Sequence, residues 1–110
     1  MTLLQRLNRE RLERREALRL EMRQRLQEAL RRFPPADKVV VFGSLAKPNR
    51  FTEASDIDLA LAAEPAGMSL YQFTALLAEE MGRQVDIVLL PECRFRERIE
   101  REGETWTLAA

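Results

Sequence analysis

Apolar residues recur at three- and four-residue steps through Leu18, Met22, Leu26, Ala29, Leu30 and Phe33, the repeat of one buried helix face. Upstream the stripe fails, because Leu3, Leu4 and Leu7 give way to residues 8–16, where Leu12 is the one sizeable apolar group. Residues 1–32 contain neither Gly nor Pro and are mostly Leu, Arg, Glu and Gln, all strong helix formers. The pattern predicts one long helix, or two abutting ones. Residues 18–33 are expected to dock on a body and the first turns to project or meet a partner. Pro34-Pro35 ends the helix, since proline lacks an N–H and disfavours helical geometry in the residue before it.

Shorter elements follow. KVVVF at residues 38–42 is a β-branched run closed by Gly43, which reads as a buried strand. Residues 44–47 have room for about one helical turn before Pro48, and residues 49–55 are polar loop. Ile57, Leu59 and Leu61 alternate with Asp56, Asp58 and Ala60, a second strand with one apolar face. Ser69 with Gln72 forms a capping-box pattern, Leu70, Phe73, Leu77 and Met81 supply a helical stripe, and Gly82 is placed to end it. VDIVLL at residues 85–90 is a third strand closed by Pro91, and residues 92–102 read as a charged helix with Phe95 and Ile99 one turn apart. In the tail, residues 104–110, Trp106 and Leu108 either add an edge strand or pack down. The fold class is α/β (α+β): a small mixed sheet of three or more strands flanked by helices, as a single domain. Within it, residues 1–33 form an N-terminal helical arm and residues 34–110 the core.

Composition narrows the chemistry. A chain of 110 residues suits one domain. No apolar run approaches the ~20 residues that span a bilayer, and the N-terminus lacks the apolar stretch and cleavage site of a signal peptide. The expectation is a cytoplasmic protein away from membranes. With Cys93 alone and no histidine, an intramolecular disulfide, a Cys/His zinc site and a His-based nucleophilic triad are excluded. Chemistry must run on carboxylates, hydroxyls, Lys/Arg or a bound cation. The net charge is zero, which argues against nucleic acid as a general partner. Yet residues 1–32 hold ten arginines against five glutamates, a surplus of five, and the remainder is acidic to the same extent. The arginines read as a solvated helix face with Glu/Arg pairs.

The informative stretch is Gly43-Ser44, eleven intervening residues, then Asp56-Ile57-Asp58. Residues two apart on a strand point to one side, so both carboxylates leave one face, and such like charges raise one another's pKa unless a cation lies between them; the plain alternative is that Asp56 caps a turn and Asp58 faces solvent. Hard oxygen ligands suit Mg²⁺ or Mn²⁺, especially where a substrate phosphate contributes too. Asp86 stands in an apolar strand, where an ionised group demands a partner. If the second and third strands are parallel neighbours, Asp56, Asp58 and Asp86 meet at one end. An antiparallel first strand then sets Gly43-Ser44 beside them. Free N–H groups and a hydroxyl at a helix start are a cradle for phosphate.

The runs VVVFGS, SDIDLAL and VDIVLL resemble the minimal nucleotidyltransferases of the DNA polymerase β superfamily, whose signature is a hydrophobic strand, Gly-Ser, a spacer, Asp-x-Asp and a distant Asp. The resemblance covers residues 39–90. It implies that Gly43 and Ser44 bind a nucleoside triphosphate such as ATP, that Asp56 and Asp58 bind two divalent ions, and that Asp86 helps hold one metal and activate an acceptor hydroxyl. Many relatives continue Gly-Ser with a basic residue and then Ala-Arg-Gly. Here Leu45-Ala46-Lys47-Pro48 follows, which leaves Lys47, with Arg50, either as a replacement phosphate contact or as plain surface charges. About twenty residues follow the third strand, so the acceptor platform is expected from another polypeptide or from self-association. By resemblance to the MntA-type antitoxins of HEPN/MNT toxin–antitoxin pairs, the partner is a small helical HEPN-type ribonuclease, AMP-modified on a tyrosine, with the N-terminal helix as docking surface. A homodimer through that helix is the alternative assembly; a non-catalytic antitoxin that masks its partner and, more remotely, an Asp-x-Asp glycosyltransferase, an enzyme class of much longer chains, are the alternative functions.

Overall fold

The computed structural model describes residues 1–35 and 38–108; the last two residues of the expected tail, 109 and 110, lie outside them. Helix α1 (Leu3–Arg32) takes up the whole Gly- and Pro-free stretch. Thr2 caps it: its hydroxyl accepts from Gln5 N at 3.1 Å while the Gln5 side chain accepts from Thr2 N at 2.9 Å, which satisfies two otherwise orphaned donors. Burial begins late, as the periodicity predicts. Met22, Leu26, Ala29 and Leu30 lie in the core with Leu18 and Phe33 at its margin, whereas Leu3, Leu4, Leu7 and Leu12 are exposed.

The chain continues through β1 (Lys38–Phe42), a 3-10 turn (Gly43–Ala46), β2 (Ile57–Leu61), α2 (Leu70–Met81), β3 (Val85–Leu89), a second 3-10 turn (Leu90–Glu92), α3 (Arg96–Glu102) and β4 (Glu104–Thr107). Ser69 and Gln72 make the expected capping box at the start of α2, and Gly82 ends that helix in the left-handed region at φ 66°, where a side chain would be strained. The four strands form one mixed sheet in the order β3-β2-β1-β4. β1 lies antiparallel to β2 and β4, and β2 lies parallel to β3, with α2 as the crossover a parallel pair requires. Trp106 is buried on β4, so the tail both adds an edge strand and packs down.

Strand alternation divides the sheet into two unequal faces. Val39, Val41, Ile57, Leu59, Leu61 and Val85 point to one, where α1 and α2 cover them with Leu26, Leu30, Phe73, Leu77 and Met81. Val40 and Ala60 point to the other, where Ile99 of α3 and Leu90 complete a smaller cluster. Ala60 is therefore buried too, and β2 has no fully wet face.

Two expectations are corrected. The last helix begins at Arg96 rather than residue 92, because Pro91 sits in the 3-10 turn and the chain is extended at Cys93. Phe95 thus becomes the residue before the helix, 59% exposed, and only Ile99 of the expected pair reaches the core. Nor are all the arginines of α1 solvated: Arg19 is buried. Among the described residues no helix is long and apolar enough to cross a membrane.

Candidate functional site

Register decides where the acids stand. Asp58 is the direct partner of Asp86 across the parallel β2–β3 pair and of Phe42 across the antiparallel β1–β2 pair. Adjacent strands lie ~4.8 Å apart, so Asp58 and Asp86 leave the thinly covered face side by side. Asp56 lies just ahead of β2. Burial raises the Asp58 carboxyl above its ordinary pKa, and the negative charges of Asp86 and Asp56 push it further in the same direction. Asp86 is exposed and is steadied by Gln84, whose Nε2 donates to Oδ1 at 3.1 Å. Among the described residues, none of these three acids takes part in an ion pair.

The expected set of acids is therefore brought to one end of the sheet, but not as a ready cage. Among the described residues, no three acidic, Cys or His side chains are close enough to hold a metal ion by themselves. The donor type nonetheless fits Mg²⁺ or Mn²⁺, since carboxylate oxygens are the hard ligands these ions take and a substrate phosphate would add more of the same kind. Asp58 is the hub of this arrangement.

Gly43 has two reasons to be glycine. Its φ of 73° disfavours any side chain, and a Cβ would overlap Asp58 Oδ2 and lie 3.3 Å from Asp58 Cγ. The Gly-Ser backbone can approach the carboxylate only because that atom is missing. Ser44 sits half-buried in the 3-10 turn that follows.

Two parts of this scaffold lie outside the sequence reading. Arg19 of α1 donates through Nη1 to the Leu45 carbonyl at 3.0 Å, and Arg23 reaches the same oxygen at 3.4 Å. Guanidinium groups thereby satisfy a carbonyl left over at the end of the 3-10 turn. Glu16 bonds Arg19 at 2.8 Å and accepts from Asn49 N at 2.9 Å, so α1 grips both ends of the segment after Gly43. The second is Arg83. Its Nη1 donates to the Thr52 carbonyl at 3.2 Å and the Ser55 carbonyl at 2.9 Å, and its guanidinium lies 4.7 Å from the centroid of the fully buried Phe51 ring. Arg83 thus pins the loop that delivers Asp56. Ile57 N donates to Gln84 O at 3.0 Å, which locks the starts of β2 and β3 together. In sequence, Arg83 looks like any surface cation following a helix-ending glycine.

The two expected phosphate contacts separate. Lys47 lines a cleft with Phe42 and Gly43, whereas Arg50 is exposed beyond Asn49, whose turn leans on α1 through Glu16. Against this geometry, the family model described as polymerase beta, nucleotidyltransferase matches residues 24–106. No curated protein matches the chain.

Proposed function

Because the chain belongs to the polymerase beta nucleotidyltransferase family, whose general activity is nucleotidyl transfer, we propose that it moves AMP from ATP to a hydroxyl, and that the acceptor is a tyrosine of a small helical HEPN-type partner which it thereby restrains as an antitoxin. The observation that carries the chemistry is the direct pairing of Asp58 with Asp86 beside Gly43, with neither acid in an ion pair among the described residues.

Each residue has a defined task. Asp56 and Asp58 would hold two divalent cations, with Asp86 helping to hold one of them. Mg²⁺ or Mn²⁺ bound there would supply a lowered pKa for the acceptor hydroxyl and charge neutralisation for the leaving pyrophosphate. Gly43 lets phosphate oxygens reach the turn's N–H groups, and Ser44 donates its hydroxyl to one of them. The acceptor oxygen forms a bond to the α-phosphorus as the bond to the pyrophosphate oxygen breaks, and the hydroxyl proton passes to the exposed Asp86 carboxylate. The exposed leucines of α1, Leu3, Leu4 and Leu7, are the surface we assign to the partner.

A binding-only antitoxin that masks its partner is the second reading. Clustered, unneutralised carboxylates favour chemistry over it, since a scaffold gains nothing from their repulsion. Incubation with α-labelled ATP, Mg²⁺ and the helical protein encoded beside it is expected to label the partner. Asp58→Asn should reduce the rate by about a thousandfold. An unlabelled partner, neutralised equally well by wild type and Asp58→Asn, overturns the enzymatic reading in favour of masking.

A further inference from the structure

A cleft of about 360 Å³ opens beside the carboxylates, lined by Phe42, Gly43, Lys47, Phe95, Arg98 and Glu102 with Ile99 at its floor. Its size suits a small-molecule site. Phe42 is the strand partner of Asp58, and a Cβ on Gly43 would run into the Asp58 carboxylate, so this cleft and the acidic end of the sheet share a wall. Its chemistry is unlike that of the core beneath it. Phe95 is 59% exposed, an apolar ring left in water at the mouth of a concave site. Lys47 and Arg98 add two cations on the same lining. Glu102 offsets one of them through a long 3.3 Å contact to Arg98 Nε, on an exposed helix surface, where such a pair is weak.

We propose that this cleft binds the substrate nucleoside triphosphate, with Phe95 stacked on the nucleobase and Lys47 and Arg98 on the phosphates. Arg98 then supplies from α3 the guanidinium contact that the Gly-Ser segment itself lacks. An aromatic face and a planar guanidinium recognise a base and a polyphosphate respectively, and Gly43 between them leads the α-phosphate to Asp58. Glu102 occupies Arg98 in the free protein and yields to the more highly charged phosphates. The proposal rests on the reading of the chain as a nucleotidyltransferase.

Binding is measured with two probes, ATP and inorganic triphosphate, both in excess Mg²⁺. Phe95→Ala is expected to weaken ATP by about tenfold and to leave inorganic triphosphate within about twofold, because only the nucleotide carries a base. Arg98→Ala is expected to weaken both probes by about tenfold, and Glu102→Gln to tighten both a few-fold. All three side chains are surface-exposed, so unchanged melting temperatures identify properly folded variants. Wild-type affinity for ATP in Phe95→Ala and Arg98→Ala, with label transfer intact, overturns the cleft assignment and leaves the enzymatic reading standing. A wild-type protein that neither binds ATP nor transfers label overturns both.

Discussion

The two faces of the sheet are built from the same strands and do opposite things. On the face under α1 and α2, every inward position of β1 and β2 is aliphatic, and Leu26, Leu30, Phe73 and Leu77 close over them without exposure. On the other face the residues between them read Val40 and Phe42, Asp58 and Ala60, Asp86 and Val88. Among the described residues, Ile99 and Leu90 provide the buried cover there, with Cys93 at its margin. The first face contributes the stability that lets the second tolerate three neighbouring negative charges. Alternation along a strand thus separates the cost of an acidic cluster from the burial that offsets it by the thickness of one sheet.

The separation can be broken from either side. The largest effect is expected on the packed face, where Phe73→Ala should lower unfolding free energy by about 4 kcal/mol in chemical denaturation. Ile99→Ala on the thin face should cost about half as much, since it closes a smaller cluster. If the two losses are equal, the faces do not divide the work as described.

Gly43→Ala tests the opposite failure. It should cost about 1–2 kcal/mol of stability for the left-handed backbone but slow nucleotide transfer by about a hundredfold, because the new methyl displaces the Asp58 carboxylate. A rate loss no greater than the loss of folded protein would show that Gly43 serves the turn alone.

Arg83→Met keeps an apolar stem over Phe51 but removes the donors to Thr52 and Ser55. Stability should fall by about 1–2 kcal/mol, and the Mg²⁺ concentration needed for half-maximal activity should rise several-fold as Asp56 loosens. An unchanged Mg²⁺ requirement would make Arg83 a fold residue only.

The smallest expected effect concerns Glu104, whose carboxyl is held below its ordinary pKa by the hydrogen bond from Arg23 at 2.8 Å and by Trp106 Nε1 at 3.0 Å. A carboxyl with a depressed folded-state pKa adds stability above its unfolded pKa and loses it as pH falls through the folded value. Wild type should therefore lose slightly more stability than Glu104→Gln on acidification from neutral pH to below the carboxylate range. The difference should be under about 1 kcal/mol, because the Glu104 side chain is 45% exposed and solvent screens the pair. Equal acid sensitivity removes Glu104 from the account of how α1 grips the sheet.

Legibility in the sequence followed the range of the interactions. The α2 cap at Ser69 and Gln72, the stop at Gly82 and the half-buried α1 depend on neighbours within a few residues, and periodicity and capping chemistry disclose them. The meeting of Asp58 with Asp86 was also readable, since two short strands joined by a helix imply a parallel pair with aligned starts. Arg19, Arg23 and Arg83 were not readable in this way. Each acts on a backbone carbonyl more than twenty residues away, and any arginine on an amphipathic helix or after a turn has the same local signature. The start of α3 was misplaced for a related reason: residues 92–102 are helix-forming by composition, and only the turn around Pro91 delays the helix to Arg96.

The unburied first half of α1 also governs how the molecule moves through water. Its radius of gyration is 15.3 Å and its longest dimension 54 Å against 28 and 24 Å across, where a rounded chain of this length would have a radius near ~13 Å. Friction grows with that elongation while mass does not. A single copy will therefore leave a sizing column early, at the position of a heavier sphere, and only a measurement of mass itself, by light scattering or sedimentation equilibrium, counts its chains.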